Sequence, residues 1–539
     1  MGEAIKELLE NYASNIKNRD DLEAAKRAVC KKYGLAAISN SDILQGYGLL
    51  LSSGANRQKS LEKILRKRSI RTLSGIAPIA VLTKPYPCPG NCAYCPHESD
   101  VPTSYLSNEP AVMRAIRCGY DPYKQVSLRL KSLENNGHEP TKIEIIVIGG
   151  TWSYLPVRYK YWYILNCFRA ANDYSRMRGA ILSQSGSGIR FQTDLKAVYK
   201  QNLSLAHLKA ALRREQHKNE KAGYKIIGLT LETRPDYINK EELSEMRELG
   251  CTRVEIGVQA VDDAILKLNK RGHGVKEIAD ATSLLRQYGF KITYHLMPAL
   301  PGSTPAKDLL LFRRLFNDER FQPDQIKFYP TVVTAGSLLY SWYRQGKYKP
   351  YSDRVLQNLI VRCKALVPPY VRIIRLIRDI PSESIIAGNK ITNLRQIMKD
   401  RGVKCNCIRC REAKERQPAP DFELRTISYP ASGGEEYFIS AESHDAKILY
   451  GFCRLRLDKT SPVSPALIRE LHVYGELVPL GGNQKIQHSG LGKKLLAGAE
   501  DIVRKNRIKN ISVISGVGAR GYYRKTGYKL RGTYMVKIV

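Results

Sequence analysis

The first half of the chain alternates short apolar runs with amphipathic segments. Six runs of apolar and β-branched residues have the length of strands: 79–84, 143–150, 226–233, 253–259, 291–298 and 326–330. Segments between them, such as 239–249 and 275–288, place apolar residues at helical spacing. Short apolar strands separated by helices predict a parallel sheet that is buried on both faces. Six such units predict a partial barrel, in which reactive side chains lie at the carboxyl ends of the strands.

The pattern changes twice along the chain. Residues 1–75 have the pattern of helices followed by a basic stretch, and 400–421 is charged and contains proline, which is typical of a boundary. Beyond it lie shorter strands, one clear helix and a hairpin-like end. Because 539 residues exceed a single core, we predict an α/β protein in four parts. These are a helical extension (1–75), a barrel domain (76–370), a linker (371–421) and an α+β domain (422–539).

Basic residues far outnumber acidic ones. The 87 Lys and Arg against 51 Asp and Glu give a formal charge of +36, which favours a polyanionic partner such as nucleic acid. A general bias toward Lys and Arg is the alternative, but the stretch 57–84 holds eight basic residues and one acid. The candidate nucleic-acid contacts are Arg57, Lys59, Lys63, Arg66, Lys67, Arg68 and Arg71.

Neither a membrane span nor a signal peptide is evident from the pattern. No apolar run approaches the roughly 18 residues of a transmembrane helix, and the first residues form a charged amphipathic segment without an apolar core region. We expect a cytoplasmic protein. Six of the twelve cysteines fall into two tight clusters, which in such a protein indicate metal rather than disulfides.

The first cluster, Cys88, Cys92 and Cys95, has the spacing C-x3-C-x2-C. Structural zinc usually takes four Cys or His ligands, and only His97 offers a nearby fourth. A [4Fe–4S] cluster held by three thiolates leaves one iron free for S-adenosylmethionine. The motif resembles that of the radical SAM superfamily and implies reductive cleavage to a 5′-deoxyadenosyl radical.

The radical SAM resemblance also implies a set of S-adenosylmethionine contacts. Tyr94 would lie near the adenine, and Gly149 and Gly150 would receive the methionyl amino group. Glu232 and Gln259 end later strands and point to the same site. The alternatives are an ordinary turn at the glycine pair and polar strand ends without a role in binding.

A glycine-containing loop opens the one clear helix of the last part. Gln487-x-x-Gly490-x-Gly492 follows an apolar strand, and such glycines let backbone N–H groups approach a pyrophosphate at a helix N-terminus. The loop resembles that of GNAT-type acetyltransferases and implies acetyl-CoA. The resemblance assigns the following residues to acetyl-CoA: Glu470, Leu471, His472, Val473, Gln487, Gly490, Leu491, Gly492, Lys493, Tyr522 and Tyr523.

Several of these residues have implied roles and open alternatives. The backbone of 470–473 would pair with the pantetheine arm, and Tyr523, with Tyr522 beside it, would stabilise the thiolate. The two rings could instead pack in a turn. Glu470 is a candidate general base or a cap of its strand. The second cysteine cluster, Cys405, Cys407 and Cys410, predicts a structural zinc that staples the linker, with no evident fourth ligand.

The combination of a radical SAM barrel with a GNAT domain resembles the catalytic subunit family of Elongator, in its stand-alone archaeal or bacterial form. Matching strings include "LETRPDY", "RELHVYG" and "VISGVGARGYYRKTGY", whereas 171–210 does not match. The resemblance implies conversion of the wobble uridine (position 34) of tRNA to carboxymethyluridine. In that reaction the radical takes hydrogen from the methyl of acetyl-CoA, and Lys142 contacts acetyl-CoA from the barrel side.

Two other hypotheses on the function compete with tRNA modification. The chain could be a protein lysine acetyltransferase with a structural barrel, although like charges would repel basic substrates from so basic a surface. A tRNA-binding module without catalysis would be expected to lack one of the two motifs, and both are present. The implied partners are tRNA, acetyl-CoA and an electron donor, and a homodimer is left open.

Overall fold

The computed structural model describes residues 1–65, 75–183, 203–413, 422–474 and 490–539. Within these ranges no helix combines the length and the apolar character that crossing a bilayer requires. Two large sheets organise the molecule, one in the barrel region and one in the last part of the chain.

The N-terminal helices form a unit with its own apolar core. They are α1 (Gly2–Glu7), α2 (Arg19–Tyr33), α3 (Asn40–Ser52) and α4 (Lys59–Leu65). Leu8, Leu22 and Ile43 are buried at the centre of this core. Capping boxes at Asn18 and Ser39 fix the starts of α2 and α3, because each side chain satisfies a helix N–H that would otherwise be unpaired.

Seven parallel strands form the barrel sheet, and each pairs with the next in chain order. They are β1 (Ala77–Leu82), β2 (Lys142–Ile148), β3 (Lys225–Thr233), β4 (Arg253–Gln259), β5 (Lys291–Leu296), β6 (Gln325–Phe328) and β8 (Arg372–Arg375). The predicted α/β partial barrel is confirmed, with one strand more than the six expected. The extra strand, β8, lies inside the stretch that we expected to be linker, because its four residues carry two arginines and lack an apolar run.

Helices between the strands cover the outer face of the sheet. They are α5 (Pro110–Arg117), α6 (Pro122–Glu134), α7 (Val157–Ser183), α8 (Leu205–Asn219), α9 (Lys240–Leu249), α10 (Asp263–Leu268), α11 (Val275–Gln287), α12 (Pro305–Asn317), α13 (Leu338–Arg344) and α14 (Asp353–Leu366). Local signals set their ends. Asn239, for example, accepts a hydrogen bond from the Glu242 N–H, and Gly250 ends the same helix with φ +92°.

The region after the barrel ties the two sheets together. A short antiparallel pair, β7 (Val333–Thr334) with β9 (Ile385–Ala387), is followed by α15 (Leu394–Asp400) and α16 (Ile408–Arg411). The Ile408 N–H donates to the carbonyl of Val371 next to the last barrel strand. Five residues later in the chain, the Ala413 N–H donates to the carbonyl of Leu449 in the second sheet, and the neighbouring Glu412 forms a bridge with the same residue.

The second sheet has seven strands in the order β10-β11-β12-β13-β14-β16-β15. They are β10 (Glu423–Ala431), β11 (Gly434–Glu442), β12 (Leu449–Leu457), β13 (Ala466–Val473), β14 (Asn510–Val513), β15 (Lys529–Arg531) and β16 (Tyr534–Ile538), with α17 (Leu491–Lys505) and α18 (Arg520–Arg524). Strands β13 and β14 run parallel and pair only at Leu467 and Ile468. Beyond Ile468, the pairing of β13 among the described residues is with β12 and not with β14, so β13 and β14 diverge there.

A buried cluster of charges joins the two sheets. Glu436 accepts from Arg286 at 2.8 Å and from Arg469 at 3.0 Å, and Arg469 also donates to Asp324 at 2.9 Å. These four side chains are at most 1% exposed. Burial opposes ionisation of Glu436, but Arg469, Arg286 and Arg456 outweigh it and lower the pKa of this carboxyl to about 2.

Replacing Asp324 tests how far this cluster holds the molecule together. Asp324→Ala removes one carboxylate partner from both Arg469 and Arg454 and leaves a buried positive charge uncompensated, so we expect a loss of about 3–5 kcal/mol in the free energy of unfolding. Urea unfolding followed by circular dichroism measures it. Asp280→Ala is the matched control, since its pair with Lys276 lies in solvent, and little change is expected. Equal urea midpoints for the two variants would contradict this role.

Candidate functional site

The three cysteines of the first cluster lie in the loop that follows β1 at the carboxyl edge of the barrel sheet. Two backbone hydrogen bonds hold the loop. The Ala93 N–H donates to the carbonyl of Asn269, and the Ala93 carbonyl accepts from the Leu339 N–H at 2.7 Å. Cys92 is buried, whereas Cys88 and Cys95 are half-buried. A hydrogen bond with Cys95 and the nearby Arg271, acting against burial, lower the pKa of Cys92 to about 4.

Two buried guanidinium groups face this loop. Arg271 donates to the Cys92 sulfur at 3.3 Å, and a Cβ on Gly90 would clash with Arg234. The Nη1 of Arg234 and the hydroxyl of Tyr94 are buried without a hydrogen-bond partner among the described residues. Cations and unused donors around three thiols fit an anionic iron–sulfur cluster, whose sulfurs accept such hydrogen bonds. The residues present therefore fit the [4Fe–4S] group.

The position of His97 does not favour it as the fourth ligand of a zinc ion. His97 is exposed, and its backbone N–H donates to the carbonyl of Gly336. Among the described His, Cys, Asp and Glu side chains, the one group whose ligand atoms all lie within 4.8 Å of one another is the second cluster, not this one.

The glycine pair at the end of β2 has a backbone that other residues rarely adopt. Gly149 and Gly150 have φ of +127° and +104°. A Cβ on Gly149 would also clash with the Thr83 hydroxyl of the neighbouring strand end. The turn thus presents bare backbone beside the cysteine loop, as expected for a site that receives a charged amino group.

Glu232 and Gln259 end their strands at the same edge of the sheet. Glu232 accepts a hydrogen bond from the Tyr105 hydroxyl at 3.0 Å and faces His295 at 3.5 Å. Gln259 has φ +67°, and its buried side-chain oxygen has no hydrogen-bond partner in the described part of the chain. Both positions agree with the expected S-adenosylmethionine contacts, which stay predictions.

A buried polar network inside the barrel was missed in the sequence. His295 on β5 lies 2.8 Å from Glu255 on β4, and Lys327 on β6 bonds to the same carboxylate. Burial opposes the charge on Glu255, but Lys327 and His295 keep its pKa well below the usual range. The sequence did contain a signal for this network, namely a charged or imidazole side chain within each of three otherwise apolar strands. Such side chains are buried only when they have partners, so three of them on neighbouring strands indicate a network.

The glycine loop of the C-terminal domain meets a tyrosine. Gly490 has φ +80° and precedes α17, of which Leu491 is buried and Lys493 exposed. A Cβ on Gly492 would lie 2.7 Å from the Tyr522 hydroxyl on α18. Gln487 lies outside the described residues.

The two tyrosines of α18 have different surroundings. Tyr522 is 38% exposed, and burial raises its pKa to about 12. Tyr523 is buried and packs edge-to-face on Tyr528 at 5.8 Å. The structure therefore brings the Tyr522 hydroxyl to the loop and packs Tyr523 in the core, and the expected contacts of both with acetyl-CoA stay predictions.

The diverging strand β13 carries the segment 470–473. Its residues Leu471, His472 and Val473 are half-buried and pair with β12, and their other edge faces the gap toward β14. The Glu470 side chain bonds to Lys291 at 2.7 Å and to Arg454 at 3.1 Å. Burial opposes its charge, but these cations keep its pKa below the usual range. A carboxylate held ionised in this way is a poor general base, so the structural alternative fits better.

Lys142 begins β2 directly opposite Lys225 of β3. Burial first and Lys225 second lower the pKa of Lys142. A glycine turn of the C-terminal domain packs on this end of β3, since a Cβ on Gly518 would lie 2.7 Å from the Lys225 Cβ and one on Gly516 would clash with Ile227. Lys142 therefore lies near the junction between the two domains.

The second cysteine cluster is compact. The sulfurs of Cys405, Cys407 and Cys410 all lie within 4.8 Å of one another. Tetrahedral Zn–S bonds of about 2.3 Å separate sulfurs by about 3.8 Å, so the group can converge on one ion. Arg395 and Arg409 lie close by; burial and then Arg395 lower the pKa of Arg409 to about 10.

The candidate nucleic-acid residues are only partly described. Arg57 bonds to Glu62 at 2.8 Å and to Glu139 at 2.9 Å, so it ties the N-terminal unit to the barrel domain. Lys63 is exposed on α4. The following lie outside the described side chains: Lys59, Arg66, Lys67, Arg68 and Arg71.

Comparison with known proteins agrees with this geometry. The Radical SAM superfamily matches residues 86–312, and the Radical_SAM C-terminal domain matches 323–402. A tRNA uridine(34) acetyltransferase from Dehalococcoides mccartyi (strain CBDB1) is 45% identical, with 87% of this chain and 99% of that protein covered. Elongator complex protein 3 of Homo sapiens is 37% identical, with 100% and 96% covered.

This chain belongs to the family of tRNA uridine(34) acetyltransferases and Elongator complex protein 3. A solved structure agrees: the archaeal Methanocaldococcus infernus Elp3, with an N-terminal deletion, has a TM-score of 0.70 at 35% identity. The match covers 87% of this chain and 100% of the chain in that structure. The family resemblance inferred from the sequence is confirmed, and the radical SAM assignment of the first cysteine motif with it.

The glycine pair of this family member offers a sharp test. Gly149→Ala forces a side chain into left-handed backbone against Thr83, and we expect S-adenosylmethionine to bind at least about tenfold more weakly. Equilibrium dialysis of the reconstituted protein measures it. Gly119→Ala, also at positive φ but in open space, is the matched control. Unchanged binding by Gly149→Ala would remove the glycine pair from the site.

Proposed function

We propose that this protein converts the wobble uridine (position 34) of tRNA to carboxymethyluridine, with acetyl-CoA as the carbon donor. The observation that carries the proposal is the pairing of two sites in one chain. A three-cysteine loop follows the first barrel strand, and a glycine loop with a tyrosine hydroxyl opens α17 of the adjoining domain. Relatives named tRNA uridine(34) acetyltransferase support uridine 34 of tRNA as the substrate.

The barrel residues would bind the cluster and its substrate. Cys88, Cys92 and Cys95 would hold the [4Fe–4S] cluster, and Arg271 and Arg234 balance its charge. When bound, the cluster supplies the electron that cleaves S-adenosylmethionine and so yields the radical that takes hydrogen from the acetyl methyl. Burial of Tyr94 against this loop excludes water from the reacting groups.

The C-terminal residues would orient acetyl-CoA. Backbone N–H groups at Gly490 and Gly492 would bind its pyrophosphate at the helix N-terminus. The edge of 470–473 on the side away from β12 would pair with the pantetheine arm, as the divergence of β13 from β14 permits. Tyr522, at its raised pKa, keeps its proton at neutral pH and would donate a hydrogen bond to the thioester or thiolate.

The charge and the two domains account for the choice of tRNA. The excess of +36 attracts phosphates, and an unpaired anticodon loop offers a base that can leave its stack. A protein lysine acetyltransferase would need neither the cysteine loop nor its buried arginines. We infer that the enzyme acts in the cytoplasm and takes its electrons from a separate donor.

Turnover with labelled acetyl-CoA tests the proposal. The reconstituted protein is incubated without oxygen with tRNA, S-adenosylmethionine, a reductant and acetyl-CoA deuterated on its methyl. We expect deuterium in 5′-deoxyadenosine and a carboxymethyl group on uridine, both read by mass spectrometry. Cys92→Ala should abolish both products, and Tyr522→Phe should lower them because it removes the hydroxyl at the loop.

A different result of this assay would contradict the proposal. If the tRNA stays unmodified although cluster and substrates are verified, and a protein lysine is acetylated instead, the chain is a protein lysine acetyltransferase.

The second cysteine cluster gives a separate test. We propose that Cys405, Cys407 and Cys410 bind a structural zinc, and we expect Cys407→Ser to lose it, from about one ion per chain to almost none. Zinc is measured by mass spectrometry of the digested protein, separately from iron. Cys30→Ser, a lone half-buried cysteine, is the control. Zinc retained by Cys407→Ser, or lost by both variants, would contradict the assignment.

A further inference from the structure

Three tyrosine rings meet at the carboxyl edge of the barrel beside the cysteine loop. Tyr86 lies two residues before Cys88, Tyr154 ends the helical turn after β2, and Tyr237 ends the turn after β3. Ring centroids are 6.0 Å apart for Tyr86 and Tyr154 and 5.8 Å for Tyr154 and Tyr237, both edge-to-face. We call these three rings the tyrosine rim. They come together because β1, β2 and β3 are neighbours in a parallel sheet.

The turns that carry the rim are fixed by polar bonds. The Thr233 hydroxyl donates to the Ser153 hydroxyl at 2.8 Å, next to Tyr154. Arg234 bonds to Asp236 at 2.8 Å, next to Tyr237, and its other nitrogen faces the cysteine loop at Gly90. The ring positions are therefore set by the same residues that shape the cluster site.

Core packing does not account for the central ring. Tyr154 is 42% exposed, whereas Trp152 and Leu155 on either side are buried and anchor the turn. Neither neighbouring tyrosine lies parallel to Tyr154, at interplanar angles of 62° and 83°. An exposed aromatic ring held edge-on by two others is a preorganised surface for a planar ligand, because little ordering cost remains on binding.

We infer that the tyrosine rim stacks an unpaired base of the RNA loop that enters the barrel, with Tyr154 as the principal contact. The inference rests on the proposed function and names a contact for its substrate. Exposed cations, Arg158 and Lys240, follow the rim within four residues and suit the adjoining phosphates. The adenine of S-adenosylmethionine is the other planar base at this edge. Tyr154, however, is exposed on the two half-buried rings beside it, whereas Tyr94 between the cysteines is enclosed, so RNA is the better match.

Fluorescence of a modified anticodon stem-loop tests this contact without turnover. The reconstituted full chain is titrated with a stem-loop that carries 2-aminopurine beside the wobble uridine, since stacking quenches this base. Wild type and Tyr154→Phe should quench it. Tyr154→Ala and Tyr154→Leu, which keeps apolar bulk without a π face, should lose the quench and bind about 5- to 100-fold more weakly. The slope of log affinity against log salt should stay unchanged, because no phosphate contact is lost.

The other outcomes overturn the inference. Quench and affinity retained by Tyr154→Ala would show that no base stacks there. Weaker binding with a shallower salt slope would assign the loss to phosphate contacts. Intact RNA binding with weakened S-adenosylmethionine binding would give the rim to the adenine. Unmodified tRNA in the turnover assay would count against the proposed function alone, because the stem-loop titration needs no reaction.

Discussion

The buried charge cluster between the two sheets is the interaction on which the arrangement of the molecule depends. Arg286 and Asp324 come from the barrel domain, and Glu436 and Arg469 come from the second sheet. Each member is desolvated, and the bonds from Arg286 to Glu436 and from Arg469 to Asp324 cross between the domains, so rotation of one sheet against the other would leave buried charges with fewer partners. Such a cluster adds little net stability over apolar packing, but it permits one orientation. In that orientation the glycine turn at 516–518 packs against the start of β3.

The second constraint is the parallel sheet of the barrel. Because all seven strands run the same way, their carboxyl ends gather the loops with the cysteines, the glycine pair and Glu232 at one edge. The barrel interior below this edge is polar rather than apolar, with His295 and Lys327 sharing the Glu255 carboxylate. Both side chains bond to the same oxygen of Glu255, and these directional bonds fix their positions more sharply than apolar packing would.

Sequence patterns predicted the parts of this molecule that depend on local regularity. The six apolar runs became barrel strands, and the cysteine spacing indicated the cluster site. What failed depends on three-dimensional context. β8 has the letters RIIR and shows no apolar run, because its arginines reach Tyr474 and Asp379 beyond the sheet. Tyr522 and Tyr523 are adjacent in sequence, and only the direction of a short helix decides which hydroxyl faces Gly492.

The buried cluster and the ion pairs that adjoin it also affect how the basic composition is interpreted. In this larger group five cations are matched by four carboxylates, so the group is nearly neutral. The cations are Arg286, Lys291, Arg454, Arg456 and Arg469, and the carboxylates are Asp324, Glu436, Asp458 and Glu470. The excess of +36 therefore lies almost wholly outside it, where it acts on a polyanion over a Debye length of about 8 Å at physiological salt. Arginine thus serves two separate ends in this chain: within the interface it fixes geometry through neutralised pairs, and elsewhere its unmatched charge favours a polyanionic partner.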